Sequence, residues 1–244
     1  MIRAYSDLHG ILPIIKPCES LLICGDICPV VGSHDPHVQT NYIHGIFTDY
    51  CNYLLDEVCQ EIVITPGNHD FCFERPFYRE LKFPRGVKIL IDDDYELKSG
   101  FTVWGSPWVP NLKNWAFYAD DVALSEYAAI IPEGINIWMM HGPPANVLDR
   151  VNGTALHVGN YPIKAHIQSE SPSIYVCGHV HEGFGREKLY DTEVMNVSFL
   201  DDYYDPMWRH GIVDFYDKLI CNLNTRQDDN PKELFWSCRG EVGY

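Results

Sequence analysis

The sequence has no CxxC pair, no run of the roughly 18 apolar residues that a membrane span needs, and no linker rich in Gly, Ser or Pro. With nine cysteines, an odd number, and several of them (Cys24, Cys59, Cys177) in or beside apolar runs, reduced thiols are expected. The missing linker, a length of 244 residues and a hydrophobic content of 46% predict one domain over 1–244. Positive charge is scarce as well: 18 Lys and Arg stand against 34 Asp and Glu, a formal charge of −16. Affinity for long nucleic acid comes largely from Lys and Arg neutralising phosphates, so this balance disfavours such a partner and favours a small substrate. Bound divalent cations reverse the field locally, which keeps a phosphate ester in a cleft compatible with the acidity. Asp7 comes too early for a signal peptide to precede it, so the expected address is cytoplasmic, without membrane association. The sequence names no oligomeric state.

Short apolar or β-branched runs recur at 2–6, 21–24, 61–65, 87–91, 101–104, 135–140, 173–177 and 211–215 and read as strands. Helices are predicted over 41–60, 121–131 and 163–169, and a mobile loop over 32–39. Strands and helices alternate through the first two thirds, which gives an α/β class. The stretch 222–244 is polar and turn-rich and has no assigned role.

Five motifs follow strand candidates in order: Asp7-Leu-His9, Gly25-Asp26, Gly67-Asn68-His69-Asp70, His141-Gly142 and Gly178-His179-Val-His181. Each puts a metal-type ligand just past a strand, and the carboxyl ends of strands in α/β sheets are where ligands gather. Carboxylate, imidazole and carboxamide together suit first-row divalent cations better than Ca²⁺: Mn²⁺ first, with Fe²⁺ or Zn²⁺ as alternatives. Taken singly, each motif also fits a polar turn.

Taken together, the five blocks resemble the calcineurin-like metallophosphoesterase superfamily, whose pattern is D-x-H, G-D, G-N-H-[DE], a later H and G-H-x-H. Trp104-Gly-Ser-Pro-Trp108, His141-Gly-Pro-Pro144 and Gly178-His-Val-His-Glu-Gly183 look like its smaller MPPED-type branch. The resemblance implies two mixed β-sheets packed face to face with helices outside, a four-layer αββα sandwich. It also implies two divalent cations, one held by Asp7, His9, Asp26 and His181 and the other by Asp26, Asn68, His141 and His179. Asp26 then bridges, and water activated by the cations attacks phosphorus in line. His69 resembles the family's acid at the leaving oxygen, with Asp70 expected to orient its imidazole.

No motif block contains Lys or Arg; the nearest are Arg75, Arg150 and Arg186. A monoester dianion commonly calls for an added cation, so small phosphodiesters such as cyclic nucleotides or aryl diesters are the expected substrates. Trp104 and Trp108 are candidate faces for a base, His34, His37 and His44 read as surface histidines, and Asn196 as support from a strand edge. Two other readings stay open. One is a nuclease of the same superfamily, which the acidity disfavours; the other is an inactive scaffold, which would be expected to have lost ligands that are all present here.

Overall fold

The computed structural model describes residues 1–30 and 34–206. The strand expected at 211–215 and the polar stretch 222–244 lie outside the described residues.

The first sheet takes the strands β1 (Ile2–Tyr5), β2 (Ser20–Ile23), β3 (Glu61–Ile64) and β4 (Val87–Ile89) in that order, all parallel. The second holds β5 (Asp93–Glu96), β6 (Thr102–Ser106), β7 (Ile137–Met140), β8 (Ile174–Cys177), β9 (Gly185–Leu189) and β10 (Thr192–Asn196), in the order β5-β6-β7-β8-β10-β9. Its β6, β7, β8 and β10 run parallel, while β5 and β9 pair antiparallel at the edges. Among the described residues the first sheet is parallel and the second mixed, within the two-sheet architecture that the resemblance implied.

Away from the edge strands β4, β5 and β9 both faces of each sheet are buried, and period-two alternation decides what each face meets. Leu22, Cys24, Val63, Ile137, Met139, Val176 and Met195 point between the sheets and form the central core. Leu21, Ile23, Ile62 and Ile64 point the other way, onto Phe47, Tyr50 and Leu54. Trp138, Met140, Tyr175 and Val194 likewise pack against Ala128, Ile163 and Ile167. These three cores separate four layers, with α1 (Pro36–Tyr42) and α2 (Thr48–Glu57) outside the first sheet and α3 (Asp121–Ala129) and α4 (Tyr161–Glu170) outside the second.

The helix expected over 41–60 begins earlier and is not uniform. Asp35 caps α1 by accepting the N–H of His37, Pro36 supplies the pre-set φ of a first turn, and a π-helical turn, Ile43–Phe47, joins α1 to α2. The expected loop 32–39 is therefore helical from Pro36 onward, and Gln39 is fully buried. The unforeseen strands β5 (DDYE) and β9 (GREKL) are charged edge strands, a composition that blunts edge pairing but hides the strand from a hydrophobicity pattern. No helix among the described residues is long and apolar enough to cross a membrane.

Candidate metal centre

All five motifs sit on the loops that leave the carboxyl ends of β1, β2, β3, β7 and β8, so both sheets feed one place. Beside it the sheets are stitched together by a parallel bridge between Ser6 and Ser198, with Ser6 N donating to Val197 O and Phe199 N to Ser6 O. Asp7, His9, Asp26 and His179 all adopt left-handed backbone, at φ 57°, 45°, 53° and 68°. Non-glycine residues accept that region at a cost and concentrate at sites where geometry is over-determined by the surroundings. Glycines flank them for a different reason: a Cβ at Gly67 would strike the Asp26 carboxylate, and one at Gly178 would strike Ser6 Oγ and the Asp7 carboxylate.

The two carboxylates are buried and held by backbone N–H donors. Asp7 accepts from His179 N at 3.0 Å and from Ser198 Oγ at 2.7 Å. Asp26 accepts from His69 N at 2.8 Å; its Oδ1 lies 3.4 Å from His141 Nε2 and its Oδ2 3.7 Å from His9 Nε2. Burial alone would raise both carboxyls, but His181 outweighs it at Asp7, and His141 and His69 outweigh it at Asp26, so both stay below the ordinary carboxylate range.

The imidazoles complete the centre. His141 donates Nδ1–H to Cys24 O (2.8 Å) and His181 to Asp201 O (2.7 Å), which turns each Nε2 inward. That is the orientation a ligating histidine needs. Burial would push both histidines down, yet Asp26 lifts His141 to about 9 and Asp7 lifts His181 to about 9. His9, which faces His181 Nε2 to Nε2 at 3.3 Å, is pushed down by burial to about 4 despite Asp26. Its Nδ1 is buried with no hydrogen-bond partner among the described residues. Asn68 brings Oδ1 to 2.9 Å from His141 Nε2.

Three overlapping groups, Asp7–His9–His181, Asp7–Asp26–His141 and His9–Asp26–His69, each gather their donor atoms within 4.8 Å. Asp26 belongs to two of them. This donor set fits divalent cations: buried carboxylates and inward Nε2 atoms converge, and two imidazole nitrogens oppose each other where a shared cation would satisfy both. His179 stands at the rim, half-buried, its ring 5.1 Å from that of His141.

Asp70 does not orient His69. Its carboxylate is fully buried and accepts from the backbone N–H of Ile27 (2.9 Å), Cys28 (2.9 Å) and Gly67 (2.8 Å), stapling the loop after β2 to the loop after β3. Burial and the nearby Asp26 raise its carboxyl, while those same N–H donors pull it down. The His69 backbone is fixed instead by Gln39, whose Nε2 donates to His69 O at 2.6 Å and whose Oε1 accepts from Cys72 N at 2.9 Å.

Neither expected tryptophan is at the centre. Trp104 is buried under the second sheet, and Trp108 stacks on Tyr127 with centroids 4.3 Å apart and donates Nε1–H to Asp92. The aromatics that do reach the centre are Trp115, 4.3 Å from the His69 ring, and Tyr204, 4.8 Å from His9 and 5.4 Å from His181. His34 packs on Trp115 (4.7 Å), His37 on Phe77 (5.6 Å), and His44 Nε2 accepts from Lys82 N. Asn196, expected to give support from a strand edge, stands at the end of the inner strand β10: its Nδ2 donates to Gly178 O and Val180 O, and its Oδ1 accepts from Ser198. Ser198, Asp201, Tyr204, Trp115 and Gln39 escaped the sequence reading because none lies in a motif block.

The sequence profile of the calcineurin-like phosphoesterases matches residues 3–183. Metallophosphoesterase domain-containing protein 1 of Homo sapiens is 30% identical over 176 residues, covering 62% of this chain and 54% of that protein, and the Mus musculus protein of the same name gives the same values. The chain thus spans about half the length of these relatives. Among solved structures, one at 17% identity superposes with a TM-score of 0.59 over 80% of this chain and 89% of its own, which speaks for the fold alone. Motifs, four layers and a centre at the strand ends agree with the profile: the chain belongs to the calcineurin-like phosphoesterase family.

Proposed function

We propose that the chain is a phosphodiesterase acting on small substrates, such as cyclic nucleotides or aryl diesters, with two divalent cations, Mn²⁺ first among them. The observation that carries this reading is Asp26: a buried carboxylate with imidazoles from both sheets on either side and a share in two donor clusters. In this reading Asp7, His9, Asp26 and His181 would hold one cation and Asp26, Asn68, His141 and His179 the other, with Asp26 common to both sets. When bound, the cations supply Lewis acidity, lowering the pKa of coordinated water and offsetting phosphoryl charge.

The protein's part is positioning and proton supply. The Nδ1–H bonds to Cys24 O and Asp201 O keep His141 and His181 facing inward, and Ser198 leaves Asp7 one direction in which to point. His69 Nε2 lies 4.0 Å from Asp26 Oδ2, at the edge of the centre, where it can hand a proton to the departing ester oxygen. Asp70 acts through the backbone, fixing the loops that carry Asp26 and Asn68 relative to each other.

Diesters are favoured by charge. Arg150 donates to Thr154 O, Arg186 faces Glu193 at 3.7 Å, and Arg75 lines a separate cavity with Asp92 and Trp108. A diester monoanion asks for no cation beyond the two metals. The test compares kcat/KM for bis(4-nitrophenyl) phosphate and 4-nitrophenyl phosphate in Mn²⁺. The expected result favours the diester, and a clear preference for the monoester overturns that assignment.

A further inference from the structure

His69 lacks the usual means of aiming a catalytic imidazole. The carboxylate next to it in sequence, Asp70, is saturated by backbone donors, and His69 Nδ1 is buried without a hydrogen-bond partner among the described residues. The ring is nevertheless confined, because it packs edge-on to His9 at 4.6 Å on one side and against Trp115 at 4.3 Å on the other. Trp115 is itself braced by Phe71 at 6.2 Å and His34 at 4.7 Å. Its loop is tied to the same turn as His69: Ala116 N donates to Asn68 O at 3.1 Å, and Phe117 N to Glu74 Oε1 at 3.0 Å.

We propose that Trp115 is the positioning residue for His69, an indole wall that takes the place of the hydrogen bond Nδ1 does not make. It confines the ring so that Nε2 faces the centre. An imidazole hinged at Cβ with no bond on its far nitrogen is free to rotate about χ2 unless something blocks the swing. The main-chain bonds to Gln39 and Asp26 Oδ1 cannot do this, and Asp26 Oδ2 approaches His69 Nε2 only to 4.0 Å. Misplacing a proton donor by about 1 Å can cost as much as a hundredfold in rate, so the wall acts on catalysis without touching substrate.

The inference rests on His69 being the proton donor, and the experiment separates the two ideas. Bis(4-nitrophenyl) phosphate and diphenyl phosphate are both aryl diesters but differ in leaving-group acidity. His69→Ala, Trp115→Ala, Trp115→Phe and the double alanine variant are compared on both in Mn²⁺, with metal content measured by elemental analysis. Trp115→Ala is expected to keep its metal and lower kcat about tenfold or more on diphenyl phosphate, with a much smaller loss on the nitrophenyl ester and little change in KM. Trp115→Phe should recover most of that loss. In the double variant, removal of Trp115 should cost nothing beyond the loss of His69, because the two act as one unit.

An equal loss on both esters, a loss confined to KM, or a loss of metal from Trp115→Ala overturns the positioning role and makes the indole a substrate wall or a structural prop. If Trp115→Ala behaves in one of those ways while His69→Ala shows the leaving-group dependence, the proton-donor reading stands and only this inference fails. If His69→Ala shows no such dependence, both fall together.

Discussion

The two sheets bring different chemistry to one seam. The first delivers both carboxylates, Asp7 and Asp26, and the second delivers His141, His179 and His181, yet each is held partly by the other: His179 N and Ser198 Oγ of the second donate to Asp7, and Cys24 O of the first turns His141 inward. Each carboxylate faces an imidazole from the opposite sheet, Asp26 with His141 and Asp7 with His181. Asp26 and Asp7 hold the pKa values of those imidazoles above the ordinary histidine range, the direction in which a proton would balance each buried carboxylate. Cation binding and sheet-to-sheet attraction are therefore two uses of the same charges.

The strongest way to break this symmetry is to remove the shared carboxylate. Asp26→Ala should fall from two metal equivalents per chain to less than one and lose essentially all turnover. Elemental analysis at near-normal thermal stability decides it, and a variant still holding two equivalents ends the bridging role. Next in size is His69→Ala, where losing a proton donor costs a factor of about 10² to 10⁴ in rate while metal is retained. Loss of metal there would move His69 into the donor cluster it shares with His9 and Asp26.

A milder probe touches only the first sheet's carboxylate. Ser198→Ala removes the hydroxyl that donates to Asp7 but keeps the backbone bridge to Ser6, so metal affinity should drop by about ten- to a hundredfold with the fold intact. Competition against a chelator measures it, and unchanged affinity would mean that His179 N alone suffices to aim Asp7.

The smallest effect is a pH profile in the metal-free chain. His9 has its pKa lowered from 6.5 to about 4, so the folded state binds fewer protons than the unfolded one between those values and stability rises with pH there. His141 and His181 are raised from 6.5 to about 9, so the stability they contribute is complete below 6.5 and is lost as pH climbs to 9. Thermal midpoints recorded with chelator should peak near pH 6.5, and saturating Mn²⁺ should flatten the alkaline limb because the cation replaces those protons. An alkaline limb that is flat without metal would contradict the cross-sheet pairing.

The convergence of the motif residues was legible in the sequence because each block carries a metal-type donor atom just past a strand, and both conditions leave a local trace. Short apolar or β-branched runs likewise marked β1, β2, β3 and β7. What stayed hidden depends on where the chain returns in space. Trp104 and Trp108 had the right chemistry but the wrong address, since alternation in β6 turns Trp104 away from the seam and Asp92 and Tyr127 hold Trp108. Trp115 and Tyr204 reach the centre from loops with no periodicity, and Gln39 from a helix whose start signal, Asp35-Pro36, was read as a loop. Asp70 was misread for a simpler reason: adjacency in sequence suggested a partner, while three backbone N–H groups had prior claim on its oxygens.

The stitch between Ser6 and Ser198 also sets where this chain can be cut. The family profile ends at 183, yet His181 leans on the carbonyl of Asp201, Asp7 on the hydroxyl of Ser198, and the loop holding His179 on the amide of Asn196. A fragment trimmed to the profile would keep every motif residue and lose both β9 and β10, together with the struts behind two of the candidate ligands. The smallest piece worth expressing therefore runs past Tyr204, some twenty residues beyond the point where sequence similarity alone would place the scissors.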